Sequence, residues 1–232
     1  MRVAGIVDLS TIDYPKKCAS VIFLSGCNMR CPYCHNLKYV LENGKEMSIE
    51  EIFDNIDFLF ADAVVISGGE PTLQRDVVDL AKFFKERGFS VKLDTNGSNP
   101  NVVREMLDYI DYIAIDVKCS FSRYKEFVKY DGNIKEKILE IIKMCKNKVF
   151  VECRTTFVPK YLNEKDIEEI AKTVKDCDLY AIQQFDPKDA YDTSLKKISP
   201  PNEKELINLG KLARKYIKNV IVRTFDREIL ID

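Results

Sequence analysis

Three features of this 232-residue chain predict an α/β fold built on a parallel sheet. Short β-branched runs alternate with amphipathic stretches along nearly its whole length. Several runs are apolar until their later residues, where charges appear. One group of three cysteines follows directly on the first run, and in such folds ligands gather where parallel strands end.

The elements follow in order. "ASVIFLS" (19–25) predicts a strand. "SIEEIFDNIDFLF" (48–60) predicts a helix, with Ser48 as cap and Glu51 as its box partner. "DAVVIS" (62–67) is a second strand. The helix at 73–88 gathers Val77, Leu80, Phe83 and Phe84 on one face and stops at Gly88. A strand at 89–95 leads to a short helix at 100–107, opened by Pro100. Strands at 112–118, 148–158, 179–185 and 219–225 alternate with helices at 133–146, 163–175 and 202–216. The stretch 186–201 lacks periodicity, ends in "SPP" and is expected to be a long loop. Such a repeat makes a parallel sheet covered by helices, either open or curled into a partial or complete barrel.

Length and composition fit one sizeable domain. Lys plus Arg number 36 and Asp plus Glu 37, a net charge of -1. No basic excess points to nucleic acid or to a membrane surface. No apolar run reaches transmembrane length, and the N-terminus lacks the pattern of a secretory signal, so a cytoplasmic location is expected.

Strands covered on both faces should be apolar throughout. Here Lys92, Asp94 and Asn96 share a face, as do Asp116 and Lys118, and Glu152, Arg154 and Thr156. "IQQF" adds Gln183 and Gln184. Charges in a sheet need partners or water, so these residues are expected to line one polar cavity.

The chain has eight cysteines. Cys145 shares an apolar stripe with Ile134, Ile138, Ile141 and Ile142, and Cys153 shares a strand face with Val149, Val151 and Thr155. Both suit packing. Cys18, Cys119 and Cys177 stand alone. Cys27, Cys31 and Cys34 in "FLSGCNMRCPYCHN" form the compact group. Thiolates suit zinc or iron–sulfur centres. Three thiolates on a short loop would hold a four-iron cluster and leave one iron free for a ligand. A zinc knuckle closed by distant Cys119 or Cys177 is the alternative. The single histidine, His35, adjoins Cys34 and is poorly placed to join the same metal. In "VVISGGEPTLQ", Gly68 and Gly69 would let the backbone approach a ligand, with Glu70 beside them to accept from an ammonium group.

These motifs together resemble the radical S-adenosylmethionine superfamily, and within it the activating enzymes of glycyl radical enzymes. "CNMRCPYCHN", with Tyr33 before the last cysteine, resembles the superfamily signature. "DLSTIDYPKKCASVIFLSGC", "SGGEP", "DTNG" and "DVK" resemble activase segments, especially those acting on pyruvate formate-lyase and archaeal-type anaerobic ribonucleoside-triphosphate reductase. The resemblance covers nearly the whole chain. It implies a single radical SAM domain over 1–232, a partial (β/α)6 barrel, with a lead-in at 1–18 and a cluster loop at 26–37.

The implied site has Cys27, Cys31 and Cys34 on one [4Fe–4S] cluster. Tyr33, Asn36, Gly68, Gly69, Glu70, Asp94, Lys118, Arg154 and Gln184 would surround S-adenosylmethionine. Asp94, Thr95 and Asp116 would help to bind a monovalent cation. The implied activity is reductive cleavage of S-adenosylmethionine to a 5′-deoxyadenosyl radical, which takes a glycine α-hydrogen from a partner enzyme. Anaerobic ribonucleoside-triphosphate reductase is the expected partner, because Asp13-Tyr14-Pro15-Lys16 replaces the Asp-Gly-Pro-Gly usual in activases of pyruvate formate-lyase. A flavodoxin or ferredoxin would supply the electron. No general base is nominated. The 186–201 loop and Asp13–Lys17 are candidate partner contacts. Two alternatives stay open: a radical enzyme acting on a small molecule, similar to 7-carboxy-7-deazaguanine synthase, and a non-catalytic zinc- or cluster-binding adaptor.

Overall fold

The predicted runs pair side by side into one sheet. The computed structural model describes residues 1–35 and 44–232. Its strands are β1 (Arg2–Ser10), β2 (Ala19–Leu24), β3 (Lys45–Glu46), β4 (Ala63–Gly68), β5 (Ser90–Thr95), β6 (Tyr112–Asp116), β7 (Phe150–Phe157), β8 (Leu179–Gln184), β9 (Val220–Arg223) and β10 (Glu228–Ile231). The strand order is β10-β9-β8-β7-β6-β5-β4-β2-β1-β3. From β2 through β9 every neighbouring pair is parallel, whereas β1 and β10 run antiparallel to β2 and β9.

Helices connect the parallel strands: α1 (Ile49–Asp54), α2 (Val77–Glu86), α3 (Pro100–Met106), α4 (Tyr124–Val128), α5 (Ile134–Cys145), α6 (Glu164–Thr173) and α7 (Glu203–Arg214). Local sequence fixes their starts. Ser48 and Glu51 form the expected capping box, Asn163 and Asp166 form another, and Pro100 opens α3. Val77, Leu80, Ala81 and Phe84 are the buried stripe of α2, so Phe83 stands only at its margin.

The two faces of the sheet differ. Ile22, Leu24, Val64, Ile66, Leu93, Ile113, Ile115 and Val151 point to the helices and form the main core. The other face carries a small apolar plug of Ala19, Val21, Ala63, Val65, Tyr112 and Ala114, covered by Tyr14. Past the plug it turns polar. Residues 11–16, from the β1–β2 connection, and residues 223–228, from the β9–β10 turn, line one cavity although their strands lie near opposite ends of the order. The sheet is therefore curled toward its polar face without closing, a partial barrel.

Several expectations are corrected. The helix predicted over 48–60 ends at Asp54, because the Asn55 side chain donates to Glu51 O (2.7 Å) and the backbone leaves the helix there. Leu59 and Phe60 are consequently 73% and 71% exposed. The lead-in supplies β1, and β3 and β10 extend the sheet edges; none of the three was expected as a strand. Residues 193–197 form a 3₁₀ turn within the 186–201 loop. Among the described residues, no helix is long and apolar enough to cross a membrane.

Candidate functional site

The cysteine loop leaves the C-terminal end of β2. Gly26 sits at φ +94°, where a side chain would be strained, and turns the chain away from the sheet. Cys34 N–H donates to Cys31 O at 3.1 Å, tightening the turn. All three thiols line one cavity of about 640 Å³, its open mouth included. Cys31 is buried, and Cys27 and Cys34 are half-buried. His35 does not join them. Its Nε2 lies 2.9 Å from Asp186 O, which ties the loop to the segment after β8. Tyr191 N donates to Cys34 O (3.1 Å) and Asp192 N to Pro32 O (2.8 Å), reinforcing that tie. Asn36 lies outside the described residues.

Burial pushes the Cys31 thiol up to about 12 and raises Cys27 as well. These two thiols are therefore neutral at rest, and a bound metal would deprotonate them outright. Among the described residues, a fourth protein ligand is not brought to the loop. Cys119 packs in the helix-side core, and Cys177 sits there against Cys153. Among the described residues, no three acidic, histidine or cysteine side chains converge as one metal ion requires. Three soft donors spread along one wall fit a multi-iron unit held at separate corners.

The opposite wall is charged. Asp94 accepts from Lys92 Nζ (2.6 Å) and Ser67 Oγ (3.1 Å), and Arg154 Nη1 lies 3.5 Å away. Asp116 accepts from Arg154 Nε (2.8 Å) and Lys118 Nζ (3.0 Å). Burial alone would raise both carboxyls. For Asp116, Arg154 and Lys118 outweigh it; for Asp94, Arg154 and Lys92 do. Both acids are held below the usual carboxylate range. Burial would likewise lower Lys118 and Arg154, but the acids beside them hold both well above their ordinary values. Two cations, Lys118 and Arg154, thus meet two anions, Asp94 and Asp116, on the cavity lining, and Lys92 pairs with Asp94 without lining this cavity.

Glu70 is placed differently from its neighbours. Gly68 and Gly69 line the cavity, but the Glu70 carboxylate turns away and is fully buried. It accepts from Thr72 N (3.1 Å), Thr72 Oγ1 (2.6 Å), Thr95 Oγ1 (2.8 Å) and Asn96 N (2.6 Å). Burial raises its carboxyl, and these hydrogen bonds oppose the rise. It works here as a staple between the loops that follow β4 and β5. Gly68 explains why this loop can sit so close: at φ +117° its missing Cβ would fall 2.3 Å from Leu24 O.

Tyr33 lines the cavity and stacks on Phe127 at 5.9 Å between ring centroids. Thr95 lines it too, although its hydroxyl is turned to Glu70. Gln184 is not beside the cysteines. Its Nε2 donates to Pro201 O (2.8 Å) and its Oε1 accepts from Phe225 N (2.8 Å). It lines a second cavity, of about 1440 Å³ with its mouth, that shares Arg154 with the first. Lys92 and Glu152 line this second space, as does Arg223. Glu152 accepts from Tyr112 Oη and Arg223.

Ser67, Met29 and Arg223 border these cavities and were not expected there. Strand parity could have found two of them. Ser67 lies two residues after inward-facing Val65, and Arg223 two after Ile221, whose β8 partner is Ala181. Met29 carries no such signal.

A family model described as the Radical SAM superfamily matches residues 21–174. A Methanocaldococcus jannaschii protein named for glycyl-radical enzyme activation is 67% identical over 231 residues, covering 97% of this chain and 96% of that one. A Clostridium pasteurianum pyruvate formate-lyase-activating enzyme is 32% identical over 126 residues, covering 50% and 52% of the two chains. The solved structure of TYW1 with a lysine-pyruvate adduct superimposes with a TM-score of 0.61 over 88% of this chain and 75% of that one. At 18% identity that last likeness speaks for the fold alone.

Proposed function

Because this chain belongs to the radical SAM superfamily, in its glycyl-radical-enzyme activating group, we propose that it binds one [4Fe–4S] cluster and S-adenosylmethionine, and uses them to activate anaerobic ribonucleoside-triphosphate reductase. The observation that carries the reading is the cavity itself, with three thiols on one wall, no fourth protein ligand among the described residues, and Lys118 and Arg154 paired with Asp116 and Asp94 on the other wall. When bound, the iron–sulfur unit and S-adenosylmethionine supply the electron and the hydrogen-abstracting group.

The chain's own part is placement and charge balance. Cys27, Cys31 and Cys34 hold the cluster and release their protons to do so. Lys118, held on the cavity lining by Asp116, receives a carboxylate. Gly68 and Gly69 present backbone close enough to meet an ammonium group. Glu70 fixes that loop rather than touching the ligand. Asp94 and Asp116 keep Arg154 in place; with Thr95 they would take a monovalent cation only if the Lys92 and Arg154 contacts re-formed around it. The second cavity, open between the β1–β2 connection and the β9–β10 turn, admits the glycine-bearing segment of the partner.

Anaerobic reconstitution is expected to load four irons and four sulfides, in proportion to the cluster named above. Addition of reductant and S-adenosylmethionine should release methionine and 5′-deoxyadenosine. Adding the reductase should give a glycyl signal in electron paramagnetic resonance. Cys31→Ala should abolish iron loading. One tightly bound zinc and no cleavage would overturn the reading, whereas cleavage without a glycyl signal would overturn only the partner.

A further inference from the structure

The parallel strands β5 to β9 send six polar side chains into the second cavity: Lys92, Glu152, Arg154, Gln183, Gln184 and Arg223. All but one are already engaged. Lys92 is paired with Asp94, Arg154 with Asp116 and Asp94, and Arg223 with Glu152 and Glu228. Gln184 donates to Pro201 O and accepts from Phe225 N. Gln183 is the exception. It is half-buried on the cavity wall, and among the described residues its amide has no hydrogen-bond partner.

Register fixes its place in the sheet. Gln183 pairs with Thr156 of β7 and Arg223 of β9. Ala181, two residues earlier on the same face, carries only a methyl group and pairs with Arg154. Arg154 lines both cavities, so Gln183 stands one pleat beyond the residue where they join. The chemistry of this wall follows from its pairing. A charged ligand group would have to break a part-buried ion pair to be received here. A primary amide offers an acceptor oxygen and two N–H donors without a charge, which is the complement of a peptide group. Glycine has no side chain to be held by. A protein that must present its α-carbon therefore has to grip the peptide groups beside it.

We propose that Gln183 binds the backbone of the partner's glycine-bearing segment, its Nε2 donating to a peptide carbonyl and its Oε1 accepting from a peptide N–H. The inference rests on the reading above and names the side chain that sets the glycine's position. The ligand class is an uncharged peptide backbone. No bond is made or broken at Gln183, whose part is orientation.

Binding and turnover both test it. The cluster-free chain, isotope-labelled on nitrogen, is titrated with N-acetyl-pentaglycine amide and followed by nuclear magnetic resonance. The Gln183 side-chain signal, identified by its loss in Gln183→Met or Gln183→Asn, should shift as peptide is added. Gln183→Met, which keeps the length and loses the amide, should weaken peptide binding about tenfold. In the loaded protein the same variant should raise the KM for the reductase about tenfold and release more 5′-deoxyadenosine per glycyl radical formed. Gln183→Asn, which keeps the amide, should recover part of both losses. A Gln183 signal that stays still in excess peptide overturns the assignment, and so does a wild-type KM in Gln183→Met. A shifted signal with no glycyl radical from wild-type protein leaves the assignment standing and overturns the partner named above instead.

Discussion

Asp116 shows how one side chain sets the state of several others. Its carboxylate stands between Arg154 and Lys118; Arg154 also has Asp94 3.5 Å away, whereas Lys118 pairs with no other acid among the described residues. Asp116→Asn would leave part-buried Lys118 facing a neutral amide and Arg154 with Asp94 alone. The expected loss is on the order of 3 kcal/mol at neutral pH, measured by urea unfolding of the cluster-free chain. The sign with pH follows from the depressed folded value. Wild-type protein keeps this contribution above the unfolded aspartate value of about 3.9 and loses it as pH falls through the lower folded value. The gap between wild type and variant should therefore narrow in acid. A gap that stays constant from neutral pH into acid would show that the pairing is not the cause.

At the scale of elements, the junction of β2 and β4 matters most, because both cavity loops leave from it. Leu24 pairs with Gly68, and Gly69 N–H donates to Leu24 O at 3.0 Å. Gly68→Ala would add a Cβ against that same backbone at a disfavoured φ. We expect a loss of about 3 kcal/mol or more and a matching drop in retained iron after reconstitution. An unchanged melting point with full iron would refute this. The same junction shows what could be read beforehand. The parallel strands and most helices were legible, since each carries its own period and caps. So was the cysteine trio, because its spacing is local. The tail of the 48–60 run was misread because Leu59 and Phe60 continue an apolar pattern past the point where Asn55 ends the helix. The edge strands escaped because antiparallel edges exposed to solvent need no continuous apolar run; Val7 and Leu9 of β1 are both exposed. The inward turn of Glu70 depends on Thr72, Thr95 and Asn96 from two different loops, which no local pattern could announce.

Across the whole molecule, the curled sheet stays open between its antiparallel margins. Ile12 on one lip and Phe225 on the other are 87% and 56% exposed and border the same cavity. An Ile12→Lys/Phe225→Lys variant should keep its stability within about 0.5 kcal/mol, since neither residue is packed. It should cleave S-adenosylmethionine at the wild-type rate without a partner, yet give a weaker glycyl signal with one. An undiminished signal would place the protein substrate elsewhere. The cysteine loop carries one more implication. It sets Cys27, Cys31 and Cys34 on the cavity while Pro32 O and Cys34 O receive Asp192 N and Tyr191 N from the segment after β8, so inserting a single amino acid between Cys31 and Cys34 would put the thiols and those carbonyls out of step. Length in this loop is then under two simultaneous demands, and drift that suited one would spoil the other.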